Sequence, residues 1–158
     1  LEESGVIDEE QSDLLSSALQ FEDTKVESIA TPRVNIQGVN LSKDAEEIFN
    51  DINDSTHSRL PVYDGDKDEI IGVLSIRRYL KQYLKTKKYP QIKRIMDKPF
   101  FADKDEEIDG LLERMSQNKV TLAIVKDEFG GTLGIVTIED ILEELVGEIY
   151  DEEDGDEA

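Results

Sequence analysis

The sequence predicts a mixed α+β (α/β) fold made of two similar halves. A length of 158 residues with 37% hydrophobic residues is enough for one ordinary domain or two very small ones. Short apolar segments with strand periodicity alternate with amphipathic helical segments. The order of these segments recurs 62 residues later. We therefore expect two β-β-α cores with flanking helices, packed as a pseudo-twofold pair.

The first half begins with a helix that Ser42 is expected to cap. Two strands follow, at residues 60–63 and 70–75, and then a second helix. The apolar faces of the two helices are Ala45, Ile48, Phe49 and Ile52 in the first and Ile76, Tyr79, Leu80, Tyr83 and Leu84 in the second.

The second half repeats this order, with a helix near Asp105, strands at residues 120–125 and 133–137, and a final helix. At an offset of 62 the halves align without a gap from Ser58 to Leu80. The identical pairs are Leu60/Leu122, Gly72/Gly134, Ile76/Ile138 and Leu80/Leu142. Two generic strand–helix elements with similar cores remain the alternative explanation.

The turn between the first two strands, Asp64–Glu69, superficially resembles a calcium loop. Such a loop needs glycine at its sixth position and glutamate at its twelfth, where this chain has Glu69 and Ser75. We therefore predict a polar hairpin turn and no metal site.

The net charge of -20 is concentrated at the two ends of the chain. Residues 1–23 hold 8 acids and no base, and residues 139–158 hold 11 acids and no base. Nine of the 18 bases lie between Arg77 and Lys98, a stretch predicted as a helix end and a solvated linker. Such a charge argues against nucleic-acid or anionic-membrane binding, because neutralising phosphates needs a basic surface. The absence of cysteine excludes disulfides, thiolate zinc sites and cysteine nucleophiles.

The N-terminal residues 1–23 are expected to form an acidic entry helix and linker, in which the helix starts at Asp8 and carries Leu14, Leu15, Ala18 and Leu19 on one face. The chain has no run of 18 apolar residues, no initiator methionine and no signal-peptide pattern. We therefore expect it to be a fragment of a longer protein.

The segment Gly134–Asp140 is a strand that runs directly into a helix. It predicts a capping box, in which the Thr137 hydroxyl and the Asp140 carboxylate satisfy each other's backbone N–H groups. The same geometry suits a ligand, because a helix N-terminus attracts phosphate and a carboxylate can hold ribose hydroxyls. Both interpretations remain open from these residues alone.

The repeated β-β-α pattern with its Gly-x-x-Thr-x-x-Asp segment resembles a pair of CBS domains, the Bateman module that senses adenine nucleotides. More closely, the chain is similar to the CorC/hemolysin-like and CNNM-type magnesium and cobalt efflux proteins. The segments that carry this resemblance are Thr31–Arg33, Thr56–Val62, Gly130–Gly134 and Thr137–Ile149.

The resemblance implies a CBS domain at residues 24–88 and a second at residues 89–150. It also implies an entry helix that follows a transmembrane domain, and an acidic tail at residues 151–158 that leads to a C-terminal CorC/HlyC domain. Dimerisation through the CBS pairs is implied as well. The expected location is the cytoplasmic side of a bacterial membrane.

The resemblance also implies an adenine-nucleotide cleft in this chain. Asp140 would hold the ribose, Thr137 and Arg59 the phosphates, and His57 would lie beside the base. The whole implied set is Thr31, Ile36, His57, Ser58, Arg59, Pro61, Thr137 and Asp140. A surface arginine and a solvated loop histidine remain the alternatives for Arg59 and His57.

The first half departs from the pattern, because Arg78 stands where the second half has Asp140. A guanidinium cannot accept hydrogen bonds from ribose hydroxyls. We therefore predict one good nucleotide cleft in each chain.

The resulting hypothesis is a non-catalytic regulatory module that binds AMP or ATP, with Mg²⁺ expected to accompany the phosphates of ATP. A structural dimerisation and docking module without a ligand is the alternative. A hydrolase is disfavoured, because the chain has one histidine and no cysteine and its acids cluster at the ends.

Overall fold

The computed structural model describes the backbone of residues 24–157 and the side chains of residues 24–147. The predicted entry helix lies outside the described residues. In the part that is described, no helix is both long and apolar enough to cross a bilayer.

Two 3-10 turns, Val26–Ser28 and Arg33–Asn35, flank the short strand β1 (Thr31–Pro32). The first repeat then contains β2 (Val39–Asn40), α1 (Ala45–Asp54), β3 (Arg59–Tyr63), β4 (Ile70–Ser75) and α2 (Ile76–Thr86). A single-turn helix, α3 (Ile92–Ile95), connects the repeats. The second repeat contains β5 (Phe101–Asp103), α4 (Ile108–Asn118), β6 (Leu122–Lys126), β7 (Thr132–Thr137) and α5 (Ile138–Glu157).

The mixed α+β class and the repeated β-β-α core are confirmed. Each repeat also has a short leading strand that the sequence analysis did not predict. This leading strand pairs in parallel with the next strand, β2 with β3 and β5 with β6. Each repeat is therefore β-α-β-β-α.

The segment that precedes each repeat pairs with the sheet of the other repeat. The first sheet has the order β2-β3-β4, and the second has the order β1-β7-β6-β5. Strand β1 thus crosses to the second repeat, where Thr31 pairs with Ile135. In the opposite direction Asp97, which precedes the second repeat, makes two main-chain hydrogen bonds of 2.8 and 3.0 Å with Val73 of β4.

The strand register corrects the gap-free alignment of the two halves. Gly72 faces Val62 across the first hairpin, whereas Gly134 faces Val125 across the second. Val62 therefore corresponds to Val125, an offset of 63, while the two glycines keep an offset of 62. The first hairpin turn is one residue longer, and the Leu60/Leu122 identity does not join equivalent positions.

Asp44, and not Ser42, caps helix α1. The Asp44 carboxylate accepts a hydrogen bond of 2.9 Å from the backbone N–H of Glu47, which is the geometry expected of an N-cap. The Ser42 hydroxyl donates to Asp64 Oδ1 in the hairpin turn instead, at 2.9 Å. Helix α4 begins at Ile108, three residues after the predicted start near Asp105.

The core consists of one apolar cluster within each repeat and a smaller one between them. Val26, from the chain before β1, is fully buried in the cluster of the second repeat. The cluster between the repeats is formed by the buried side chains of Ile70, Val73, Leu122 and Ile124. These strand side chains hold the two sheets together, and the candidate site lies beside them.

Candidate nucleotide cleft

A cavity of about 450 Å³ lies where the two repeats meet. The chain after β1, the start of β3 and the junction of β7 with α5 all contribute to its lining. All eight residues that the sequence analysis assigned to a nucleotide site line this one cavity: Thr31, Ile36, His57, Ser58, Arg59, Pro61, Thr137 and Asp140.

The β7–α5 junction forms the predicted capping box. The N–H of Asp140 donates to Thr137 Oγ1 at 3.1 Å, and the N–H of Thr137 donates to Asp140 Oδ2 at 3.0 Å. Asp140 Oδ1 has no hydrogen-bond partner among the described residues. The capping and ligand interpretations are therefore compatible, because one carboxylate oxygen organises the helix end while the other is left for a ligand.

Thr31 is positioned at the cavity by the pairing of β1 with β7. A Cβ at Gly134 would overlap the carbonyl oxygen of Thr31. Glycine is therefore required at this position by the close approach of another backbone, which explains the first residue of the Gly-x-x-Thr-x-x-Asp segment. Ile36, at the end of the following 3-10 turn, is 2% exposed and gives the cavity an apolar side.

Arg59 supplies the cation of the cleft. It begins β3 and is exposed, and none of the ion pairs among the described residues involves it. The carbonyl of its neighbour Ser58 accepts from the N–H of Ile76 at 3.1 Å, which fixes the start of the strand. The guanidinium is thus available to an anionic group.

His57 and Pro61 differ in exposure. The backbone N–H of His57 donates to Ser55 Oγ at 3.1 Å, and the imidazole of His57 is exposed at the cavity. Pro61 is buried in the middle of β3, opposite Val73. His57 can therefore contact a ligand, whereas Pro61 shapes the cavity.

Seven other residues line the cavity and were not predicted from the sequence: Asn35, Gln37, Thr56, Thr121, Leu122, Ile135 and Glu139. Two of them had a usable signal. Strands β3 and β6, which precede the hairpin turns, are related by an offset of 63 residues. At this offset Thr121 and Leu122 correspond to Ser58 and Arg59. The N–H of Ile138 donates to the Thr121 carbonyl at 3.0 Å, as that of Ile76 does to Ser58.

The equivalent position in the first repeat is held by an internal ion pair. Arg78 Nη1 donates to the Ile95 carbonyl at 3.0 Å and lies 3.3 Å from Asp97 Oδ1. Ser75 caps α2 through the N–H of Arg78 at 3.3 Å, so the first repeat keeps half of the capping box. The guanidinium of Arg78 stands where the second repeat has the carboxylate of Asp140.

The comparisons with known proteins agree with this architecture. The family model described as "CBS domain" matches residues 26–85 and again residues 92–147. The chain therefore belongs to the CBS-domain family, as a tandem CBS pair of the CorC/hemolysin-like, CNNM type.

Two relatives illustrate that type. The hemolysin C homolog of Rickettsia rickettsii is 36% identical over 146 residues, 92% of this chain and 48% of the relative. The magnesium and cobalt efflux protein CorC of Vibrio cholerae is 34% identical over 157 residues, 99% of this chain and 54% of the relative. The chain thus spans about half the length of each of these two relatives.

Two similar solved structures contain adenine nucleotides. The CBS domain of a bacterial CNNM/CorC family Mg²⁺ transporter in complex with ATP is 34% identical, with a TM-score of 0.77, and the match covers 87% of this chain and 98% of that one. A CBS-domain pair from Klebsiella pneumoniae with bound AMP is 30% identical, with a TM-score of 0.72, and the match covers 77% of this chain and 98% of that one.

Proposed function

We propose that this CBS pair is a non-catalytic regulatory module that binds AMP or ATP and belongs to a membrane magnesium and cobalt efflux or hemolysin-like transporter. The observation that carries the proposal is the single cavity that unites Thr31, His57, Arg59, Thr137 and Asp140 from both repeats. The nucleotides bound by two similar solved structures support it.

Each part of a nucleotide finds suitable chemistry in the cavity. The carboxylate of Asp140 accepts hydrogen bonds from ribose hydroxyls, and the Thr137 hydroxyl and Arg59 guanidinium donate to phosphate. The N-terminus of α5 adds its positive dipole end, although the N–H groups of Ile138 and Asp140 are already bonded to Thr121 and Thr137. Ile36 offers an apolar surface to the base, and His57 is exposed beside it.

The charge of the cleft bears on the choice between AMP and ATP. Arg59 is its one strong cation among the described lining residues, whereas Glu139 and Asp140 are both carboxylates. A triphosphate adds more negative charge than one guanidinium neutralises. We therefore propose that ATP enters with Mg²⁺ on its phosphates, while AMP binds without a metal.

Regulation requires that nucleotide bind two conformations of the module with different affinity. We propose that dimerised CBS pairs are the two-state element, on the cytoplasmic side of a bacterial membrane. The partners are the protein's own transmembrane domain and a C-terminal CorC/HlyC domain. The relatives that extend to about twice the length of this chain support the presence of further domains.

A thermal-shift titration with AMP, ADP and ATP, each with and without Mg²⁺, tests the proposal. Mass action stabilises the folded state by about 2.7 kcal/mol when ligand is at a hundred times its dissociation constant. We expect AMP to raise the melting temperature in either condition and ATP to need Mg²⁺ for its full effect. No shift with any nucleotide would favour the ligand-free docking module instead.

A further inference from the structure

The connection between the repeats carries a surface of unusual charge for so acidic a protein. Residues 77–98 contain nine bases and one acid, Asp97. All nine side chains are exposed, and Arg78 is the one among them that has an ion-pair partner in the described part of the chain. We call this the α2 basic surface, and its bases are Arg77, Arg78, Lys81, Lys85, Lys87, Lys88, Lys93, Arg94 and Lys98.

The basic side chains of α2 share one face with an exposed leucine. Arg77, Lys81 and Leu84 are four and three residues apart, and they therefore lie along one side of the helix. The opposite side carries Tyr79, which is 1% exposed. Leu84 is 68% exposed, and Tyr89, just beyond the helix, is 42% exposed.

The end of α2 keeps a lysine where backbone geometry favours glycine. Lys87 has φ of 62° at the C-cap, a left-handed conformation that glycine or asparagine adopts more readily. A cation at a helix C-terminus is favourable for the helix dipole. At the margin of the surface Asp97 pairs with Arg78, and Glu46 and Asp44 lie near Tyr89. Burial raises the pKa of Tyr89, and the charges of these two acids raise it further.

We propose that the α2 basic surface docks onto the anionic phosphate headgroups of a lipid bilayer. Basic side chains attract such headgroups, and an exposed leucine and tyrosine among them suit the boundary between headgroups and hydrocarbon. The inference rests on the proposed function in one respect, namely that a transporter module works beside a membrane.

The net charge of the whole chain does not prevent this contact. Charges separated by more than about 10 Å are largely screened at 0.1 M salt, so the local surface dominates once it meets the bilayer. The leucine also favours lipid over nucleic acid, because a purely electrostatic partner gains nothing from an aliphatic side chain.

Cosedimentation of the 158-residue chain with vesicles tests the proposal. We expect binding to phosphatidylcholine vesicles that contain about one third phosphatidylglycerol, no binding to phosphatidylcholine alone, and loss of binding between about 50 and 300 mM salt. The triple variant Lys81→Gln, Lys85→Gln, Lys88→Gln is expected to bind roughly 100-fold more weakly, since each base near an anionic surface contributes about fivefold.

A matched triple variant, Lys25→Gln, Lys43→Gln, Lys119→Gln, removes the same charge from exposed lysines elsewhere and should bind within a few-fold of the parent chain. Leu84→Gln changes no charge and is expected to weaken vesicle binding about tenfold. Melting curves of all variants confirm that they are folded.

The proposal is overturned if the parent chain does not bind anionic vesicles at low salt, or if the two triple variants bind these vesicles equally well. It is also overturned if the surface binds an RNA homopolymer while no vesicle binding is seen. Nucleotide titration of the same variants separates this result from the proposed function, because the substituted lysines lie outside the cleft and should leave the AMP-induced shift intact.

Discussion

The guanidinium of Arg33 donates to Asp68 Oδ1 at 2.8 Å and ties the turn after β1 to the hairpin of the first repeat. The main-chain carbonyl of Asp68 also accepts from Thr132 at the start of β7, from its N–H at 3.0 Å and from its hydroxyl at 2.9 Å. Asp68 therefore holds together three segments that are distant in sequence, and two of them lead to the cleft.

The Thr132 hydrogen bond and the Arg33–Asp68 ion pair are expected to contribute unequally to the free energy of unfolding. Thr132 is 4% exposed, so Thr132→Val should cost about 1 kcal/mol by removing a buried hydrogen bond. The side chains of Arg33 and Asp68 are 45% and 51% exposed, and Asp68→Ala should therefore cost less than about 1 kcal/mol. Urea unfolding of both variants measures this, and the reverse order would contradict the interpretation.

Three glycine-to-alanine variants should rank in a definite order. Gly134→Ala places a methyl group against the Thr31 carbonyl and is expected to cost about 2 kcal/mol or more, because backbone must move. Gly72→Ala meets mainly the flexible Met96 side chain and should cost less. Gly110, inside α4, has nothing within 4 Å of the added group, and alanine there should gain about 0.5–1 kcal/mol. Unfolding midpoints compare the three, and an equal loss in all would refute the close-approach explanation.

Asp140→Asn and Glu139→Gln form a matched pair, since each removes one negative charge from the first turn of α5. The amide oxygen of asparagine can still accept from the Thr137 N–H, so the stability loss should stay within about 1 kcal/mol. We expect the AMP-induced rise in melting temperature to disappear in Asp140→Asn and to persist in Glu139→Gln. An undiminished AMP effect in Asp140→Asn would remove that carboxylate from the site.

Calorimetric titration should find one AMP for each chain. The equivalent position in the first repeat is taken by Arg78, whose guanidinium is bound to Asp97 and to the Ile95 carbonyl. Two sites of equal affinity would show that this ion pair opens to admit ligand and would contradict the prediction.

The stability of the first repeat should fall in strong alkali. Burial raises the pKa of Tyr79 from 10.0 to about 12, with smaller effects from Tyr89 and Tyr83. Because the folded-state pKa lies above the unfolded one, the neutral phenol contributes stability that is complete below pH 10 and is lost as the pH rises toward 12. Tyr79→Phe should show a shallower decrease over this range in denaturant unfolding, and an identical decrease would assign the effect to other groups.

Periodicity and turn residues were sufficient to predict the long elements of both repeats. They were insufficient for β2 and β5, because strands of two and three residues are too short to show an alternating pattern. The cap of α1 was misassigned to Ser42, since the acceptable cap residues Ser42 and Asp44 stand two positions apart and only the folded hairpin turn decides which is free.

The residues of the cleft were predicted where a motif carried them, as at Thr137 and Asp140. Residues such as Gln37 and Thr121 were missed, because they reach the cleft through the crossing of the two sheets. The one-residue difference between the hairpins also concealed the correspondence of Thr121 with Ser58. A gap-free alignment scored by identity cannot detect such a difference.

The pairing of Thr31 with Ile135 joins residues separated by most of the described chain. A pair so distant in sequence forms late, because a long loop must close before it is stabilised. During synthesis, Thr31 emerges long before β7 exists to receive it, and the cleft has no far side until Asp140 has been added. A ligand that contacts both sides of the cleft can therefore stabilise only a chain whose last strand has paired. Such a ligand would bind only after folding of both repeats is complete.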